Sequence, residues 1–250
     1  KKMKRCKEDV VFDAACFIIL TLVLFVVAYP LYWVIISSIS APSAVSSGKV
    51  LLHPIGFTLK GYAEVFKNDQ VMRGFLNSLI ITFCGVMVNL IVTLPTSYAL
   101  SRSNFSGKKP ITIFYLITMF FGGGLIPTYL VIQRLQMLNT IWALILPGCL
   151  SVYNMIVART FFKSNISEEL YEAAEIDGCT QARFFFQIAL PLSKAIIAIL
   201  VLYYGVGHWN SYFSALVYIS DKAKYPLQLV LRNILITNQT ALSQTATTAA

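Results

Sequence analysis

Residues 172–191 read "EAAEIDGCTQARFFFQIALP", and they stand apart from their surroundings. Long apolar runs lie on both sides, yet this segment holds three acids, two alanines and a glycine before it turns apolar and closes on Leu190-Pro191. Just upstream, "NISEELYEAAEID" (165–177) has helical patterning. Asn165 or Ser167 can cap that helix, and Glu168 and Glu169 fall in its first turn, where acids complement the positive end of the helix dipole. Leu170, Ala173 and Ala174 recur at i, i+3 and i+4 and share one face, while Glu168, Glu172 and Glu175 share another. Gly178 is placed to end the helix in a left-handed conformation. A second helical piece can follow from Thr180, with Phe184, Ile188 and Pro191 as one stripe and Phe185, Ala189 and Leu192 as its neighbour.

The pattern predicts a short helix, a sharp glycine turn and an aromatic-backed helix anchored to a membrane domain. A small-faced helix can sit deep in a groove while its acids meet basic residues on the rim. A loop lying on lipid headgroups usually carries Lys or Arg on its polar face. This one carries Glu, which an anionic leaflet repels. The segment therefore reads as a docking knob for a cytoplasmic partner.

Composition sets the context. Of the 250 residues, 57% are hydrophobic and only 12% charged, about half the charge of an ordinary soluble domain. Five stretches, roughly 14–37, 75–100, 110–132, 141–162 and 194–219, are nearly free of charge and reach the ~20 residues a spanning helix needs. The expected fold is all-α and polytopic, with five spanning helices. Pro30, Pro95 and Pro147 fall inside these spans, and "FFGGGLIPTY" (120–129) breaks the third near its end. Irregular backbone at membrane depth survives only where it is buried or lines water. Gly205 and Gly207 can allow close helix contact in the fifth span. Between the first two spans, "SISAPSAVSSGKV" (38–50) reads as coil and "TLKGYAEVF" (58–66) as a short interfacial helix. The tail "NQTALSQTATTAA" (238–250) reads as polar and unstructured.

The net charge of +9 does not imply nucleic acid, because the basic residues sit between apolar blocks and in "KKMKRCK" (1–7) rather than in a stripe on one soluble helix. That placement suits anionic headgroups and a cytoplasmic N-terminus. With the N-terminus inside, residues 101–109 and 163–193 are inside too, and counting the flanking Arg159 and Lys194, 12 of the 20 basic residues lie on that side. The five cysteines have no metal-like or redox-like spacing and read as small buried hydrophobes, and no metal site is expected. The apolar run near the start is too long for a cleaved signal peptide.

One further cluster is chemical. "GHWNSYF" (207–213) puts His208, Trp209, Asn210 and Tyr212 inside the fifth span. Polar groups at membrane depth face the protein interior or a water-filled path. An aromatic face with amide and imidazole groups suits a sugar, and the same residues also suit hydrogen bonding between helices. A membrane-embedded transferase would want several carboxylates or histidines at one depth, and the spans offer only His208 near the middle and Asp13 at an edge. A non-transporting scaffold also fits the acidic knob, though it does not require the glycine-rich break.

The opening stretch resembles the loop motif of inner-membrane permeases of type I ABC importers. Glu172-Ala173-Ala174, Gly178, Ile188 and Leu190-Pro191 fill every fixed position of that pattern. "LNSLIIT" (76–82), "TIWALILPG" (140–148), "ARTFFKSNISEELYEAAEIDG" (158–178) and "HWNSYFSALVYISD…YPLQLVL" (208–231) are similar to the carbohydrate-uptake branch, most of all to the lipoprotein-dependent oligosaccharide permeases of Gram-positive bacteria. The resemblance covers about residues 10–236.

It implies a subunit of the bacterial cell membrane that moves oligosaccharides or sugars inward, or, as the alternative, another solute class. The implied partners are a second homologous permease, two cytoplasmic ATPase subunits that bind ATP and magnesium, and an extracellular solute-binding lipoprotein. This chain would hold no cofactor, consistent with its having no G-x-x-x-x-G-K-[ST] phosphate loop. In the implied roles Glu172 contacts the ATPase, Ala173 and Ala174 allow close approach, Gly178 makes the turn, and Ile188, Leu190 and Pro191 anchor the loop. The implied layout is residues 1–74 as N-terminal segment, first span and outer loop, 75–236 as permease core with coupling loop 163–193, and 237–250 as a tail. The family pattern expects a sixth spanning helix after "YPLQLVL", and these residues hold none.

Overall fold

A computed structural model describes the backbone of residues 7–248 and the side chains of residues 11–237. The basic cluster up to Cys6 lies outside the described residues. Among those described, all regular structure is helical. The chain divides between Asp69 and Gln70 into two compact units.

The first unit contains α1 (Lys7–Ser38), α2 (Pro42–Ser46) and α3 (Lys60–Lys67). Residues Val11–Ser38 are long and apolar enough to cross a membrane, and side chains such as Phe17, Leu24 and Val34 lie exposed along them. The stretch expected as coil is instead folded back on the end of α1. Trp33 Nε1 donates to the Val50 carbonyl at 2.8 Å, Ser40 Oγ accepts from the Ile55 N–H at 3.2 Å, and Ile36, Ala44 and Val50 form a small core. Ser and Pro composition signalled a loop, but these longer-range bonds give it a single shape.

The second unit is built around α4 (Asp69–Ser101), which is unbroken and long enough to span even with Pro95 inside it. After it come α5 (Lys108–Phe120), α6 (Leu125–Arg134), α7 (Trp142–Ile145) with a 3-10 turn at Leu146–Gly148, α8 (Val152–Asn165), α9 (Glu168–Ile176) and α10 (Gln181–Phe184). A π turn at Phe185–Ala189 leads into α11 (Leu190–Leu192), followed by α12 (Lys194–Trp209), α13 (Tyr212–Tyr218), a 3-10 turn at Lys222–Lys224, and α14 (Leu227–Thr248).

The expected spans 110–132 and 141–162 are bent rather than straight, and a third bend falls just before the expected span 194–219. α5 and α6 meet at 113°, the α7 segment and α8 at 52°, and Gln181–Leu192 and α12 at 80°. Among the described residues two helices are by themselves long and apolar enough to cross a membrane, and up to five spans result if each bent pair counts as one. The first break falls at the triple glycine, where Gly124 takes φ 84, a conformation closed to most side chains. The second falls after Pro147, which has no N–H to continue a helix. The expected fifth span, 194–219, stops at Trp209 and restarts at Tyr212. Asn210 Nδ2 donates to the Val206 carbonyl and Ser211 Oγ to that of His208, so the side chains take up carbonyls at the end of α12.

The tail differs from its expected coil, because α14 continues to Thr248. Residues 237–248 contain neither Gly nor Pro, and extending a helix already nucleated over Leu227–Thr237 is far easier than starting one. The apolar part of α14, Leu227–Thr237, is shorter than a span.

Two apolar clusters fill the second unit. One gathers Tyr98, Phe162, Tyr171, Phe184, Phe185 and Leu200. The other gathers Ile81, Ile132, Leu144, Ala215, Tyr218 and Leu229. α4 runs through both, so it joins residues 163–193 to the rest of the unit.

Candidate functional site

The docking segment is shaped by local hydrogen bonds. Ser167 caps α9, its side chain accepting from the Leu170 N–H. At the other end Gly178 has φ 76, its N–H donates to the Glu175 carbonyl at 2.9 Å, and the Cys179 N–H donates to the Ala174 carbonyl at 2.9 Å. This pair of bonds is the Schellman arrangement, which satisfies carbonyls that a helix end leaves open. Thr180 then caps α10, accepting from the Arg183 N–H.

Which face of α9 points inward is decided by packing. Tyr171 is the buried residue, its ring edge-on to Phe184 at 5.3 Å, and Ala174 is half-buried beside it. Leu170 and Ala173, grouped with Ala174 by spacing, point outward with Glu169 and Glu172. Ile176 is 87% exposed. Glu168, expected on the acid face, turns inward instead. Its carboxylate accepts from Arg102 Nη2 at 2.8 Å and from the Ser103 N–H at 3.2 Å. An outward face of Leu170, Ala173 and Ile176, edged by Glu169 and Glu172, is what remains for a partner.

The anchor also differs in detail. Phe184, Phe185 and Ala189 are buried, Ile188 and Leu190 half-buried, and Pro191 exposed. The π turn shifts the register that regular helical spacing assumes. It lies just before Pro191, whose ring crowds the carbonyl four residues back and cannot donate to it. Tyr98 seats the whole segment, with its ring 5.0 Å from Phe185, 5.7 Å from Phe162 and 6.4 Å from Phe184.

The second feature is an open groove of about 480 Å³ in the second unit. His208, Asn154, Ser151, Ser211, Ser214, Tyr203 and Tyr204 supply polar edges, and Pro147, Gly148 and Gly207 supply bare backbone. Of the four residues expected on a solute path, His208 lines this groove. Trp209 packs edge-on against Phe75 at 6.0 Å, Asn210 ends α12, and Tyr212 is exposed at the start of α13. His208 also ties helices together: its Nε2 pairs with Asn89 Oδ1 at 2.7 Å, and Asn89 Nδ2 donates to the Gly148 carbonyl at 2.7 Å.

Asn89 belongs to a stripe that the sequence reading missed. Gly85, Asn89, Thr93 and Ser97 recur every four residues on the buried side of α4. Thr93 Oγ1 and the Tyr204 hydroxyl are 2.7 Å apart, the Ser151 N–H donates to that same hydroxyl, and Ser97 Oγ donates to the Met155 carbonyl at 3.0 Å. Small and polar residues at helical spacing within an apolar span mark a helix–helix contact, so the signal was present in "GVMVNLIVTLPTS" (85–97). Among the described residues no group of His, Cys, Asp and Glu is placed to hold a metal ion.

Apolar helices that, singly or as bent pairs, are long enough to cross a membrane, together with an open polar groove and a capped pair of short helices, describe a polytopic membrane protein. No protein-family model matches the chain. It is 38% identical, over 90% of its length and 78% of the relative's, to the polygalacturonan/rhamnogalacturonan transport system permease protein YtcP of Bacillus subtilis. It is likewise 38% identical to protein LplC of the same organism, over 94% of this chain and 79% of that one. The galactooligosaccharides transport system permease protein GanQ of Bacillus subtilis is 29% identical over 87% of this chain and 78% of its own. Among solved structures, a bacterial ABC transporter involved in the import of the acidic polysaccharide alginate superposes with a TM-score of 0.87 at 28% identity, covering 93% of this chain and 82% of that one. The chain belongs to the family of carbohydrate ABC transporter permeases, and its place is the bacterial membrane.

Proposed function

We propose that this chain is one half of a permease pair that imports oligosaccharides, that α9 and α10 dock into a separate cytoplasmic ATPase, and that the His208 groove lines the solute path. The observation that carries the docking role is the capped hairpin, whose outward face sets Leu170, Ala173 and Ile176 beside Glu169 and Glu172. ATP with magnesium binds the ATPase subunits, and closing of their dimer moves the docked helices as rigid bodies, turning the path from inward-facing to outward-facing. In this reading the N-terminus is cytoplasmic, the second permease is a homologue of this chain, and a solute-binding lipoprotein delivers the sugar from outside. Glu172 meets the ATPase, Ala173 and Gly178 permit close approach and the turn, and Ile188 and Leu190 hold the segment to the core.

Two of the relatives are permease proteins of transport systems for polygalacturonan/rhamnogalacturonan and for galactooligosaccharides, and the solved neighbour is involved in the import of the acidic polysaccharide alginate. The polar edges of the groove suit sugar hydroxyls. The test is reconstitution of the chain with its partner subunits in vesicles, supplied with fragments of polygalacturonan, rhamnogalacturonan and galactan. Stimulation of ATP hydrolysis by one of these supports the reading. Failure of the membrane complex to bring down an ATPase, or hydrolysis that no sugar changes, refutes it.

A further inference from the structure

Arg102 follows directly on α4 and is only 12% exposed at its side chain. Its guanidinium carbon stands 4.2 Å from the centre of the Tyr171 ring and 5.9 Å from those of Tyr98 and Phe184. The Glu168 carboxylate takes one donor from Arg102 and one from the next residue's backbone. From the other side Lys108 Nζ donates to the carbonyls of Arg102 and Ser103 at 3.2 and 3.1 Å. The connection between α4 and α5 is thus pinned against the first turn of α9.

We propose that Arg102 and Glu168 form a clamp that fixes the docking helix to the end of α4, so that movement of the docking helix reaches the groove through α4 as well as through the chain from α10 to α12. This rests on the docking role proposed above. α4 is suited to the task. About 20 Å of helix, at 1.5 Å per residue, separates Arg102 from Asn89, and Asn89 pairs with His208 on the groove. Between them Ser97 and Thr93 bind α8 and α12. Arg102 is a positioning residue: it acts through Glu168 and touches no solute. Its planar fork stacks on Tyr171 while bonding a carboxylate, which a lysine ammonium cannot do in the same way.

The assembled importer in vesicles tests this with Arg102→Glu, Glu168→Arg, the double exchange and the milder Arg102→Lys. Three quantities are read: ATPase retained on purification, solute moved per ATP hydrolysed, and the distance between spin labels at the exposed positions Ser106→Cys and Asp177→Cys with the five native cysteines replaced by alanine. Each single reversal keeps the ATPase, lowers solute per ATP roughly fivefold, the scale of a modest coupling energy, and broadens the label distance. Arg102→Lys gives a smaller drop in the same direction, and the double exchange restores part of both losses, because it remakes the ion pair but neither the stacking on Tyr171 nor the Ser103 bond. A simple loss of folding would not be repaired by exchanging the charges. If the unaltered chain does not retain an ATPase, the docking role falls and this proposal with it. If it does, and the single reversals leave both ratio and distance unchanged or the double exchange repairs nothing, the clamp alone is overturned.

Discussion

Substitution of Gly178 separates backbone strain from side-chain contact, because the turn is open. A Cβ placed there meets nothing within 4 Å, and φ is +76. No clash contributes, so the cost is that of holding an L-residue in the left-handed region, about 1–2 kcal/mol. Alanine lies toward the low end and β-branched valine toward the high end, while asparagine, which bonds its own backbone locally, is the most tolerated. In the undocked chain this exposed turn can relax, because water replaces the bonds from Gly178 and Cys179 to the Glu175 and Ala174 carbonyls. Docking must then supply the difference, and apparent affinity for the ATPase falls roughly 5–30-fold. Titrating ATPase onto the purified permease pair in lipid discs gives the order Gly, Asn, Ala, Val from tightest to weakest, with thermal stability of the membrane domain unchanged. Equal weakening by Asn and Val, or undiminished binding by Val, refutes the strain argument.

Glu172→Lys reverses an exposed charge on the docking face; uptake should be lost while a reporter fusion shows normal insertion, and normal uptake removes Glu172 from the contact. In Gly85→Ala the new Cβ would lie 2.5 Å from the His208 ring, so thermal stability should fall by about 1–3 kcal/mol. A second change, His208→Ala, should then return a good part of that loss, and a Gly85→Ala protein as stable as the original would contradict the close approach. Thr93→Val should cost about 0.6 kcal/mol, the average for such bonds within a membrane, and Tyr204→Phe more, because it also removes the acceptor of the Ser151 N–H; the double variant should cost little more than Tyr204→Phe alone. Fully additive losses would show that the two hydroxyls do not act on each other.

Much of the docking site was legible because its chemistry is local. Ser167, Gly178 and Thr180 act on backbone groups within a few residues of themselves, and each takes the capping or turn role that its type and position predict. His208 is a different case. Its depth in an apolar run announced a functional or bridging group, but its partner Asn89 lies 119 residues away, and no local rule connects them. Trp209, Asn210 and Tyr212 looked equivalent to His208 as a string, yet the stop in the helix at Asn210 sends them in separate directions.

The positions of the apolar runs, the acidic hairpin and its caps were settled by the sequence alone, because hydropathy and turn propensity are properties of neighbours along the chain. The inward face of α9, the diversion of Glu168 to Arg102, the register shift at the π turn and the angles of the bends were settled only in three dimensions. Each depends on what lies across a gap: Phe184 gives the Tyr171 ring an edge-on partner, and Arg102 gives Glu168 a partner in place of water.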